Sequence, residues 1–165
     1  MAVYDEPEAP LRLNQGDPLA DVPFAGQHAD DLTRVTTTLG LVTMHSCDCD
    51  KFFTAQEKGV DPEILATWPV TVAPAHPPEL LIGGQAGDAR GGRMPRYFFL
   101  PSEGAQQELV VDLWREQAVP ARILTGLARQ ATLSSDMREA LYVHLWQLKT
   151  RTDLASLSEP EEADE

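Results

Sequence analysis

Long apolar runs are missing from this chain: nowhere in its 165 residues do about 18 apolar residues follow one another, which excludes a membrane-spanning helix. The opening MAVYDEPEAP lacks both the positive and the apolar part of a secretion signal. A soluble, cytoplasmic protein with no membrane partner is therefore expected. Cysteine is scarce, with only Cys47 and Cys49. A bridge between them would close a strained loop across one residue with little entropic gain, so thiols or metal ligands are expected in a reducing cytosol. Neither the G-x-x-x-x-G-K-[ST] nor the G-x-G-x-x-G spacing occurs, which removes support for a nucleotide fold. There is no internal repeat.

Basic residues are also few, and their distribution matters more than the formal charge of −13. Residues 1 to 31 carry seven acids against Arg12, and residues 153 to 165 carry six acids and no base. Each end thus holds −6, which leaves −1 for residues 32 to 152. The length suits one domain, and the composition predicts a domain over 14–152 between acidic disordered tails at 1–13 and 153–165.

Within that span Arg90, Arg93 and Arg96 gather in "GGQAGDARGGRMPR". Two readings stand side by side. The stretch is either a solvated surface loop or an RNA-binding loop, where glycines admit backbone N–H groups to a phosphate and arginines grip it.

Along the chain, "NQGDPLADVPF" predicts a turn and a short first strand, and "AGQHADDLTRVTTT" a long excursion after it. "LGLVTMH", residues 39 to 45, is β-branched and apolar and predicts a strand. "FFTAQEKG" predicts one or two helical turns. "VDPEILATW" predicts a short helix with Asp61 as cap and Pro62 in its first position. "PVTVAPAH" predicts a strand cut off by Pro74, Pro77 and Pro78. "RYFFLP", "ELVVDLW" and "LARQATLS" follow as strands close enough in sequence to pair antiparallel in a small barrel. Met137, Leu141, His144, Leu145 and Leu148 recur at helical spacing, so a closing amphipathic helix is expected with His144 as a satisfied boundary residue.

"MHSCDCDKF" holds the chemistry-bearing residues. If the strand continues through it, alternation places His45, Cys47 and Cys49 on one side. With His76 as a fourth ligand from a neighbouring strand, they would form a zinc site, although zinc pairs usually space their cysteines more widely. A reactive thiol is disfavoured, because Asp48 and Asp50 raise a thiol pKa. A third reading is a packed strand end with buried thiols and an acidic turn.

Taken in order, "QGDPLADVPF", "TLGLVTMHSCD", "WPVTVAPAH", "ELVVDL", "RQATLS" and the closing helix resemble the layout of the PemK/MazF-like plasmid-maintenance toxins. The resemblance implies a mainly β fold with α, a small SH3-like β-barrel with a C-terminal amphipathic helix. It also implies a homodimer, an antitoxin or other protein partner, and cleavage of single-stranded RNA without a metal. Gly16 and Asp17 match the Gly-Asp pair that opens the family's first strand. Thr37 and Thr38 stand where the family has an arginine, and His76 stands where it has a serine or threonine. His76 as general base, with Arg93 or Arg96 stabilising phosphorane charge, is the catalytic set this implies. "SCD" is similar to a signature of uncharacterised bacterial and phage-neighbourhood barrel proteins. The functional expectation is a binding or regulatory module in a toxin-antitoxin or phage-related setting, with an endoribonuclease and a zinc-binding structural protein as alternatives.

Overall fold

The computed structural model describes residues 2–5, 13–25, 35–104, 106–129 and 131–157, with side chains up to Thr150. The excursion at 26–34 and most of the two acidic tails, 6–12 and 158–165, lie outside the described residues. The elements run β1 (Tyr4–Asp5), β2 (Pro18–Ala25), β3 (Val35–Val42), α1 (Ser46–Glu57), α2 (Pro62–Ala66), β4 (Pro69–His76) and α3 (Gln85–Arg90). They continue as β5 (Tyr97–Leu100), β6 (Leu109–Asp112), β7 (Gln117–Pro120), α4 (Ala121–Leu124), β8 (Thr132–Leu133) and α5 (Ser135–Leu157).

β4 is the centre of the main sheet. One of its edges takes β3, and the other takes β7 along Pro69–Val72 and β6 at Ala75 and His76. β2 and β5 flank β3 and β6, so every neighbouring pair is antiparallel. Pro74 does not cut the strand. It falls between the stretches paired with β7 and β6, where the missing N–H breaks no ladder. The neighbouring strand leaves the sheet there as a 3-10 turn, Leu113–Arg115.

The pairings do not close on themselves. β2 and β5 end an open six-stranded sheet, and β1 with β8 forms a separate two-stranded one. The closed barrel expected from the sequence is thus replaced, among the described residues, by a mixed α/β arrangement of open antiparallel sheets. A bulge between Leu19 and Val22 puts Asp21 at φ 57 and turns the β2 edge outward, where Leu19 bridges Arg129.

Alternation along the strands sends apolar residues to both faces. Val70 and Val72 join Val22, Val42 and Phe52 in one cluster, covered by α1 and α4. Ala73 and Ala75 join Leu41, Leu100 and Val111 in the other, onto which α5 packs Met137, Leu141 and Leu145. That stripe is the one predicted from helical spacing. His144 sits at its edge as expected, its Nε2 2.7 Å from the Pro95 carbonyl and its ring edge-on to Phe98.

The largest departure is at the motif. β3 ends at Val42, and the helical turns expected over "FFTAQEKG" begin earlier, at Ser46, so residues 46–51 are helical, not extended. Cys49, Phe52 and Phe53 recur at i, i+3 and i+4, so a helix buries Cys49 and Phe52 together, whereas a strand would place them on opposite faces. The His45 ring caps the helix, Nδ1 accepting from the Cys47 N–H at 3.2 Å, and Asp48 lies in the favourable first turn. α2 begins as predicted, with the Asp61 carboxylate accepting from the Glu63 N–H at 2.9 Å ahead of Pro62.

The N-terminal residues also depart from expectation. Val3 is buried and Tyr4–Asp5 pairs with β8, more than a hundred residues away.

The elements meet at Asp17, which is wholly buried. Its carboxylate accepts from Arg129 Nη1 at 2.6 Å, from the Asn14 N–H at 2.7 Å and from the Thr132 hydroxyl. Its carbonyl accepts from the Val42 N–H at 3.0 Å. Gly16 alongside has φ 87, and a Cβ there would lie 2.8 Å from Leu133 Cδ1, so glycine is required on two counts. Arg129 is 5% exposed and Asp17 0% at the side chain, so breaking the pair removes the carboxylate that faces a buried guanidinium. Asp17→Asn is expected to lower unfolding free energy by about 3–5 kcal/mol, read from urea denaturation.

Candidate functional site

Antiparallel register decides which of the sequence-predicted residues can meet. Ala75 pairs with Leu39, whereas Val72 pairs with Val42, so β4 runs away from the motif as it approaches His76. His76 therefore lies at the opposite end of β3 from His45. The side-by-side placement needed for a His45, Cys47, Cys49 and His76 metal site does not occur. Within the motif, α1 exposes Cys47 and buries Cys49, since residues two apart on a helix face different ways. Among the described residues no group of three His, Cys, Asp or Glu is placed to hold a metal ion.

His76 and the arginines are likewise apart. His76 pairs with Val110, which pairs with Phe99, and Arg96 lies three residues beyond Phe99. Two strand spacings across and three residues along put the backbones on the order of 14 Å apart. His76 Nδ1 lies 3.2 Å from the neighbouring Pro77 carbonyl.

Each arginine of the loop is also held by a carboxylate. Arg90 binds Glu79 at 2.6 Å and Glu108, which raises its pKa and lowers that of Glu108. Arg93 binds Asp88 at 2.7 Å. Arg96 donates both Nε, at 2.8 Å, and Nη2, at 2.5 Å, to the buried Asp112, and this bidentate hydrogen bonding raises its pKa. The stretch is partly helical, as α3, and its charge is internally neutralised.

Asp112 and Trp114 carry no assignment in the sequence reading. Asp112 closes the apolar run of β6, and its Oδ1 accepts from the Trp114 N–H at 3.3 Å, capping the 3-10 turn. Leu113 enters the core while Trp114 is left 68% exposed. The Arg96 guanidinium stands 5.4 Å from the Trp114 ring centre and 5.1 Å from that of Tyr97. Arg115 approaches the same carboxylate at 3.5 Å, so two cations share one anion. A charged residue ending the four-residue run LVVD, two places before a tryptophan, was the available signal.

The remaining histidine and cysteine chemistry is local. The Lys51 ammonium, 2.7 Å from Asp48, holds that carboxyl below its usual range. Burial pushes the Cys49 thiol up to about 12, with Asp17 and Asp50 adding to the effect. Its Sγ lies 3.8 Å from the Met44 carbonyl, a weak donation consistent with a neutral thiol.

No protein-family model matches this chain, and no curated protein matches it. Among the described residues no helix is long and apolar enough to cross a membrane.

Thiol chemistry should separate the two cysteines. A disulfide reagent should titrate one thiol in the native protein and two after denaturation, with the native one lost in Cys47→Ser. The unfolded Cys49 ionises from its ordinary value of 9.0 while the folded thiol keeps its proton to about 12, so stability should fall as pH rises through that window. Cys49→Ala should remove that part of the decline. Tyr4, raised from 10.0 to about 12 by burial and then by Glu103, should retain its own share.

Proposed function

We propose that this chain is a toxin-like binding module built on open antiparallel sheets and that it does not cleave RNA. Its partner is a protein segment carrying an apolar anchor beside a carboxylate, received at Trp114. The observation that carries this reading is the fixed pairing of an exposed tryptophan with Arg96, itself held by the buried Asp112. Tryptophan, tyrosine and arginine are the residues on which interface energy concentrates, and immobilising them beforehand reduces the entropic cost of association. Two cations around one carboxylate leave the patch net positive, so a negative group on the partner is favoured. An antitoxin-like acidic segment has that chemistry.

The toxin-like kinship is part of the same reading. It rests on the Gly16–Asp17 pair ahead of β2 and on the order of strands followed by a closing helix. Neutralisation of Arg90 and Arg93 by carboxylates speaks against a phosphate grip along the glycine-rich stretch, since counterion release needs free cations.

A synthetic acidic peptide with one phenylalanine, titrated at low salt by tryptophan fluorescence, tests the reading. Saturable binding is expected, weakened about 30-fold by Trp114→Ala, the weight of a 2 kcal/mol anchor. Binding unaffected by Trp114→Ala would remove the assignment. Cleavage of a single-stranded RNA that disappears in His76→Ala would replace it with the endoribonuclease reading, and stoichiometric zinc in protein purified without added metal would replace it with the structural zinc one.

A further inference from the structure

The start of α1 and the start of α5 enclose a cleft of about 380 Å³. Gln15, His45 and Ser46 line one side of it, and Ser135, Arg138 and Tyr142 line the other. Two helices of 12 and 23 residues thus open their N-terminal turns, with their partial positive charge, onto one space. Ser134, ahead of α5, is already engaged with the Ala2 carbonyl at 2.7 Å and the Met137 N–H at 3.4 Å. The hydroxyls of Ser46 and Ser135 have no hydrogen-bond partner among the described residues.

Two further features mark the cleft as built for an anion. Arg138 is half-buried and, unlike Arg90, Arg93, Arg96 and Arg129, has no carboxylate within ion-pair distance among the described residues. Gln15 is only 4% exposed and lines the cleft. Its backbone N–H serves the Cys49 sulfur, while its side-chain amide has no hydrogen-bond partner among the described residues. Its amide atoms are not among the sealed, unpartnered ones, so they open onto the cleft and can bond to what occupies it. His45 adds a donor, because a ring whose Nδ1 accepts from Cys47 carries its neutral-state proton on Nε2.

Acids near the cleft are accounted for. Asp48 is tied to Lys51 and Asp17 to Arg129. Asp136 lines a neighbouring cavity beside Phe98. Glu139 is exposed at the rim shared by both cavities and is the one carboxylate among the described lining residues.

We propose that this cleft binds the phosphoryl group of a small phosphate ester. Donors arrive from the Ser46 and Ser135 hydroxyls at two helix starts, one guanidinium and one amide, a number and spread that suit three phosphoryl oxygens better than the two of a carboxylate. The volume lies in the range of small-molecule pockets, about 300–1,000 Å³, so an ester is a better fit than the bare ion. The Tyr142 ring, 5.3 Å from that of His45 and inclined at 67°, gives the remainder of the ligand an apolar wall.

Calorimetric titration of the full chain with inorganic phosphate and with glycerol phosphate, at ionic strength held constant with chloride, tests this. Both ligands should bind saturably and raise the melting temperature, the ester more tightly. Arg138→Gln should weaken binding at least about 10-fold without changing unfolding in the absence of ligand. Should that variant not fold, the double variant Ser46→Ala, Ser135→Ala takes its place, with a loss of several-fold expected, and Trp114→Ala should bind phosphate like the parent. Absence of saturable binding by either ligand, or undiminished binding in a folded Arg138 or double-serine variant, overturns the proposal.

Discussion

The Asp17 carboxylate is the interaction on which the other parts converge. It joins the turn at Asn14, the arginine that bridges the β2 edge, and Thr132 in the short strand ahead of α5. Through its carbonyl it also fixes Val42, the last residue of β3. Three residues later the chain turns into α1. A buried carboxylate tolerates such a position only when its oxygens are fully engaged, because desolvation of the charge otherwise exceeds any packing gain. This requirement is selective. It ties segments more than a hundred residues apart in one arrangement, where apolar contacts alone would accept several.

Elements whose signals are local were legible in the sequence. β4, β5 and β6 have compact apolar runs, α2 has its aspartate and proline at the start, and α5 has a stripe of four apolar residues. Only the second half of α1, in "FFTAQEKG", was legible as a helix, because two periods overlap in its first half. His45, Cys47 and Cys49 alternate as a strand would, while Cys49, Phe52 and Phe53 repeat as a helix does. Burying Phe52 and partly covering Phe53 outweighs the alternation of three polar or weakly polar side chains, so the helical period wins. β1 could not be read, since it is two residues long and is defined only by its partner, whereas β8 lies inside the strand expected over "LARQATLS" and keeps only two of its residues.

The candidate site was legible in its residue types and misread in its geometry. Arg90, Arg93 and Arg96 stand in a glycine-rich stretch of net positive charge, and a local count therefore suggests an anion grip. The carboxylates that oppose them come largely from elsewhere, Glu79 before α3, Glu108 at the start of β6 and Asp112 at its end. Charge in a folded protein is set by what the sheet brings alongside, and a linear count omits it. The same holds for His76. Its type fits a general base or a ligand, but antiparallel pairing carries it away from His45 and leaves it two strands from Phe99.

Dependence on Asp17 extends to the cleft between the helix starts. Gln15 precedes the Gly16–Asp17 pair, and the Leu133 N–H donates to the Gly16 carbonyl at 3.3 Å immediately before α5 begins. Ser134 is fixed in turn by Val3 and Ala2, which the β1–β8 pairing holds in place. One wall of the cleft thus descends from β3 through His45 and the other from β8 through Ser134, and both strands are anchored on the same two residues. The end of β3 and the strand ahead of α5 are thus tied together at the Gly16–Asp17 pair. The Trp114 patch, by contrast, is anchored by Asp112 on β6, which pairs with Tyr97 of β5 and not with β2, β3 or β8. The two surfaces therefore rest on different buried carboxylates, so damage to one need not reach the other.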